Sequence, residues 1–188
     1  AFTTLKLKVT PIDYSFPNPD FAVNVPTGNA GVTQFEFTNL TTIGTDPNPN
    51  WSWDFGDGTI SSGLNVTHVY DSVAVYSVGL TVTDANGFSR SIIKEDYITV
   101  IPAPPIADAG PDQNVNENVE VTLDGSSSSD PDGEIVSYLW TVDGISITNA
   151  NSSVASFTAP EVDSDTSYVF TLTVTDNDEQ STSDSVSI

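Results

Sequence analysis

The stretch WSWDFGDG, residues 51–58, decides how this chain folds. Read with the two-residue period of a strand, Trp51, Trp53 and Phe55 share one face, and Ser52 and Asp54 share the other. Three rings on one face carry too much apolar surface to stay wet, since burying each is worth about 1.5–3 kcal/mol. Gly56-Asp57-Gly58 then turns the chain sharply, because two of the three residues adopt positive φ at little cost. Asp57 is placed to accept local backbone N–H groups and hold the turn. The first expectation is a buried strand with a core Trp, closed by a glycine turn.

Outward from that strand, the same two-residue alternation recurs at short intervals. Phe21, Val23 and Val25 alternate, as do Phe35 and Phe37, and the loop 41–50 separates them from the Trp strand. A short strand is expected over 65–70. Tyr76, Val78, Leu80 and Val82 then form one apolar face, 84–87 is a turn, and 89–100 is a closing strand. The period never shifts to 3.6, so the chain reads as all-β. Leu5, Leu7 and Val9 mark a strand-like segment within residues 1–15, either the tail of a preceding repeat or an additional strand.

Residues 101–106, Ile-Pro-Ala-Pro-Pro-Ile, form a stiff extended linker, because proline lacks the N–H that strand pairing needs. After it the pattern repeats. Trp140, flanked on its face by Tyr138 and Val142, answers Trp53. Tyr168-Val-Phe-Thr-Leu-Thr-Val-Thr-Asp176 answers Tyr76–Asp84 position by position. Two copies of one β unit follow, over 16–101 and 102–188.

Composition narrows the function. With 26 acidic residues against four basic, the formal net charge is −22. Such a surface repels phosphate backbones and anionic lipids, which argues against nucleic-acid partners. No 18-residue apolar run exists to insert into a membrane, and no cysteine is present to ligate a metal or form a disulfide. No signal-peptide pattern opens the sequence, which begins mid-pattern and reads as a fragment of something longer. All four cations precede residue 101, leaving the second unit with 16 carboxylates and no Lys or Arg. Two readings stay open: a solubilising surface suited to salty water, or a specific role for a cation.

WDFGDG, followed by His68-Val-Tyr70 and then by Tyr76–Asp84, resembles the PKD domain over about residues 20–100. The second unit, with ADAGPDQ at 107–113, LDGSSSSDPDG at 123–133 and TDNDE at 175–179, is similar to the PKD-like repeats of bacterial and archaeal surface proteins. The resemblance implies two tandem immunoglobulin-like β-sandwiches, extracellular or at a cell surface, acting as spacers beside the other domains of a parent protein. Position 74 departs from the family pattern, with Ala where Gly is usual; if φ is positive there, Ala costs about 1 kcal/mol.

On an immunoglobulin-like topology the incoming segment and two loops gather at one pole. That places Asp108 and Asp112, then Asp130, Asp132 and Glu134, and finally Asp176 and Asp178 together. Carboxylates converging without a counter-ion repel one another, and Ca2+ takes six to eight such oxygens. The alternative is that these residues cap turns in water. The first unit offers a thinner set in Asp20, Asp46, Asp84 and Asn86. Trp51 starts its strand, where a ring either edges the core or lies open to stack on a polysaccharide or a collagen-like fibre, as in PKD domains of chitinases and collagenolytic proteases. His68 is the sole histidine, so a Ser-His-Asp triad or an HExxH zinc site would have to be built from it alone, and the family resemblance implies a structural role for the His-x-Tyr pair. The acidic pairs sit in short turns with no insertion to form a cleft, and no enzymatic activity is expected.

Overall fold

The structure, a computed structural model, describes residues 16–44 and 48–188. Leu5, Leu7, Val9 and Asp46 therefore lie outside the described residues. There are thirteen strands and no helix among those described. The first eight are β1 (Phe21–Val23), β2 (Thr27–Asn29), β3 (Phe35–Asn39), β4 (Asn50–Asp54), β5 (Ile60–Ser61), β6 (Val66–His68), β7 (Ala74–Thr83) and β8 (Ser89–Ile101). The other five are β9 (Glu120–Asp124), β10 (Ile135–Thr141), β11 (Val154–Thr158), β12 (Val169–Asp176) and β13 (Ser181–Ser187).

The chain divides into two compact units. In the first, a sheet of order β1-β3-β6 packs against one of order β2-β8-β7-β4-β5. The Trp strand β4 lies antiparallel to β7, with Trp53 opposite Leu80 and Trp51 opposite Val82. Trp53 is fully buried and Phe55 is 2% exposed. Their face meets the facing sheet ring to ring: Phe21 and Phe37 lie 5.2 and 5.9 Å from the Trp53 ring. The first pair is edge-to-face and the second tilted, both at separations where aromatic pairs gain energy beyond their buried area.

The second unit repeats the plan with fewer strands, β10-β12-β13 on one side and β11-β9 on the other. Trp140 lies opposite Leu172. The core joins Leu123, Phe157, Phe170 and Val186 to it, with Tyr138 and Val142 packed at the margin. Both units are thus two-layer all-β sandwiches behind their own indole.

The glycine turn is held as the residue types require. Asp57 Oδ1 accepts the Thr59 N–H at 2.9 Å and the Thr59 hydroxyl at 2.6 Å. Gly56 and Gly58 have φ of 82° and 92°. Ala74 is not among the residues of positive φ, so this chain opens β7 with an ordinary backbone and Ala costs nothing there.

Gly56 and Gly58 differ in surroundings. A Cβ on Gly56 would lie 2.4 Å from the Ser77 carbonyl oxygen, whereas none lies within 4 Å of one on Gly58. Gly58→Ala should cost about 1–2 kcal/mol, the left-handed backbone penalty alone. Gly56→Ala should cost clearly more, because β7 must also shift. Urea unfolding of the two variants measures the gap, and equal losses would contradict the packing described.

Candidate metal centre

Strand β12 ends in Asp176, whose side chain turns back to close the hairpin to β13. Its Oδ1 accepts the N–H groups of Asp178 at 2.9 Å and Gln180 at 2.7 Å. Short polar side chains favour this role because they reach the backbone two residues on. The geometry takes Asp176 to 1% exposure and leaves Oδ2 buried without a hydrogen-bond partner.

The loop between β9 and β10 supplies the facing groups. Asp130 Oδ2 is likewise buried without a partner. A Cβ on Gly133 would lie 2.7 Å from Asp130 Oδ2 and 2.0 Å from Asn177 Oδ1, so the two loops close this tightly only because residue 133 has no side chain. Asn177 Oδ1 in turn accepts the Glu134 N–H at 2.7 Å.

Burial pushes the Asp130 carboxyl above its ordinary value; a hydrogen bond from the Asp132 amide opposes this, while the charges of Asp132 and Asp176 and a side-chain hydrogen bond with Asp132 add to it. Three carboxylates therefore feel one another in a unit without a basic residue to neutralise them. Hard oxygen donors of this kind suit Ca2+ rather than a thiophilic metal. Among the described residues no three acidic or imidazole side chains already surround a common point. A cation here would need Asp130, Asp132 and Asp176 to draw together, with main-chain oxygens of the two loops completing the set.

The other expected ligands lie apart. Asp108 Oδ1 caps the Gly110 N–H at 2.9 Å and the residue is exposed. Asp178 is exposed and accepts from the Asn177 amide at 3.3 Å. Asp112 does not join the pole at all. The incoming segment runs alongside β13, Pro105 beside Thr182 and Gln113 beside Ser187, so Asp112 accepts the Ser187 N–H at 2.8 Å at the far end of the sheet.

In the first unit Asp84 repeats the hairpin device, accepting from Asn86 and Phe88, with Oδ2 buried and unpartnered. Asp20 is otherwise engaged: it pairs with Lys94 at 3.0 Å, and that hydrogen bond holds its carboxyl below the ordinary value. Lys94 also donates to the Phe21 carbonyl and lies over the Phe21 and Tyr97 rings.

His68 serves structure. Its Nε2 lies 2.6 Å from Asp57 Oδ2, and its ring stacks on Phe55 at 4.1 Å between centroids. The pair ties the glycine turn to β6 in the opposite sheet. Trp51 is half-buried at the sandwich edge.

Comparison with known proteins agrees with this architecture. Residues 17–100 match the PKD domain family, and residues 109–188 match the family described as K319L-like, PKD domain. The chain is a tandem of PKD domains. It is 43% identical over 123 residues to the dyslexia-associated protein KIAA0319-like protein of Mus musculus, covering 60% of this chain and 11% of that one. Over 50 residues it is 48% identical to a microbial collagenase of Vibrio alginolyticus, covering 25% of this chain and 6% of that protein. The PKD1 domain of the Vibrio cholerae metalloprotease PrtV is similar at 30% identity, with 46% of this chain and 98% of that domain covered and a TM-score of 0.39. The PKD tandem thus spans only a small part of these curated relatives. No helix of the described residues is long and apolar enough to cross a membrane.

The first PKD domain also carries a pH signature. Burial of Asp57 opposes its ionisation, but hydrogen bonds from Thr59 and His68 outweigh that and hold its carboxyl below the ordinary 3.8. A depressed folded value contributes stability above pH 3.8 that is lost as pH falls through the folded value. Acid titration of the melting temperature should show this loss below pH 4, and Asp57→Asn should flatten it. An unchanged acid limb in the variant would contradict the assignment.

Proposed function

We propose that the PKD tandem is a non-catalytic spacer of a secreted or cell-surface protein, and that calcium stabilises its second domain. The observation that carries the calcium reading is the pair of buried carboxylate oxygens, Asp130 Oδ2 and Asp176 Oδ2, left without partners. An unpaired buried polar group costs about 1–3 kcal/mol, more when charged, and a hard cation removes that cost. The spacer reading is supported by relatives named as collagenases and a metalloprotease, of which the matching region is a small share.

A second reading rests on Trp51, whose half-buried indole sits where β4 begins. Under it the first domain binds a polysaccharide or a collagen-like fibre, and the tandem is an accessory binding module. Retention on chitin, cellulose or collagen that Trp51→Ala abolishes favours binding. Failure to be retained on any of the three favours the spacer.

Calcium should raise the melting temperature of the second domain, because a ligand bound only by the folded state adds about 2.7 kcal/mol at a hundredfold its dissociation constant. Asp176→Asn keeps an oxygen for the hairpin amides and should abolish the rise. Equal calorimetric melts in millimolar Ca2+ and in excess chelator would rule the ion out.

A further inference from the structure

We propose that Asp132 couples the cation site to the proline-rich linker, a step that rests on the calcium reading above. Between Ile101 and Ile106 the chain runs Pro-Ala-Pro-Pro, and proline has no N–H to give. Ala103 therefore supplies the one main-chain donor of that stretch. Its N–H lies 3.1 Å from Asp132 Oδ1 and 3.2 Å from Oδ2, shared between both oxygens, and Ala103 itself is 1% exposed. A hydrogen bond to an ionised acceptor is roughly twice as strong as a neutral one.

The linker is fastened again at its end, where Ile106 and Ser129 exchange main-chain bonds of 2.7 and 3.0 Å and Pro105 accepts the Thr182 hydroxyl at 2.7 Å. Only the Ala103 bond passes through a member of the acidic cluster. That cluster satisfies more than proximity of charge: Asp176, 1% exposed with an unpartnered oxygen, adds its charge to that of Asp132 on Asp130.

Of the three carboxylates, Asp176 is pinned by two amides and by burial. Asp130 and Asp132 are both half-buried on one loop, and Asp132 relieves the repulsion when it swings outward. Doing so releases the Ala103 N–H. A cation turns that repulsion into attraction and holds Asp132 in place. A carboxylate offers about four acceptor positions, so ligation and the amide bond coexist on it. Calcium thus tightens the grip on the linker.

Hydrogen exchange of the intact chain, read by NMR at the Ala103 amide, tests this. Protection should rise about tenfold between excess chelator and millimolar Ca2+, while the Leu80 amide in the first domain stays unchanged. Asp132→Asn retains an acceptor oxygen for Ala103, so protection without calcium should persist while the calcium response disappears. Asp176→Asn should remove the same response without touching the linker. A calcium-dependent melt with unchanged Ala103 protection would overturn the coupling and leave the ion in place; no calcium effect on either would overturn both.

Discussion

Each of these sandwiches exists to keep one indole dry, and the rest of its architecture follows from how well that is done. In the first domain the solution is complete. Trp53 is enclosed by Phe21 and Phe37, and its Nε1 donates to the Gly63 carbonyl at 3.0 Å. In the second domain Trp140 is as deeply buried, but its Nε1 has no partner. Room for that ring comes from Gly125, where a Cβ would lie 3.2 Å from Trp140 Cζ2 and 2.5 Å from Leu172 Cδ2. The second domain therefore carries an unpaired indole N–H as well as two unpaired carboxylate oxygens. It has fewer sheet strands to offset them. The first domain leaves Asp84 Oδ2 and Asn39 Nδ2 unpaired, so the larger deficit lies in the second, where the proposed ion would act.

Scarcity of cations shapes the exposed faces as well. With only four basic residues, the sheets cannot be laced by ion pairs, and hydroxyls take that place. Thr81–Ser91 and Thr83–Ser89 pair at 2.8 and 2.7 Å across β7 and β8. Thr171–Ser185, Thr173–Ser183 and Thr175–Ser181 pair at 3.2, 2.9 and 2.8 Å across β12 and β13. Cross-strand hydroxyl pairs of this kind are worth a few tenths to about 1 kcal/mol each and need no counter-charge. The repeated Thr-x-Thr pattern therefore has a structural reason in a chain of this composition.

What could be read from the residues was whatever depends on period or on local turn chemistry. The inward face of Trp53 and Phe55, the hold of Asp57 on its turn and the answering Trp140 are all of that kind. Strand β2 was not legible, because Thr-Gly-Asn has no apolar residue, its Gly and Asn are depleted in strands, and it is strand only through its pairing with β8. Asp112 misled for a geometric reason. The incoming segment follows β13 towards Ser187, so the step from Asp108 to Asp112 carries the second carboxylate away from the pole where the first arrives. The bond from Ala103 to Asp132 links residues 29 apart, and no spacing rule announces it. Gly133 was visible only as a turn residue, while its contact with Asp130 and Asn177 is what presses the loops together.

The same distinction separates two kinds of acidity that the bulk charge merges. Asp108, Asp112, Asp143, Asp163, Asp165 and Asp178 are exposed, and charges of that sort are screened by salt over about 8–10 Å at ordinary ionic strength. Asp130 and Asp176 present oxygens that solvent does not reach, and diffuse counter-ions screen such groups poorly. Raising monovalent salt therefore relieves the first kind and leaves the second almost untouched. The ion proposed above would have to be small and hard enough to enter between the loops. Net charge alone would assign the whole chain to a saline habit; burial divides it into a solvated shell and a few carboxylate oxygens, Asp84 among them, that solvent does not reach.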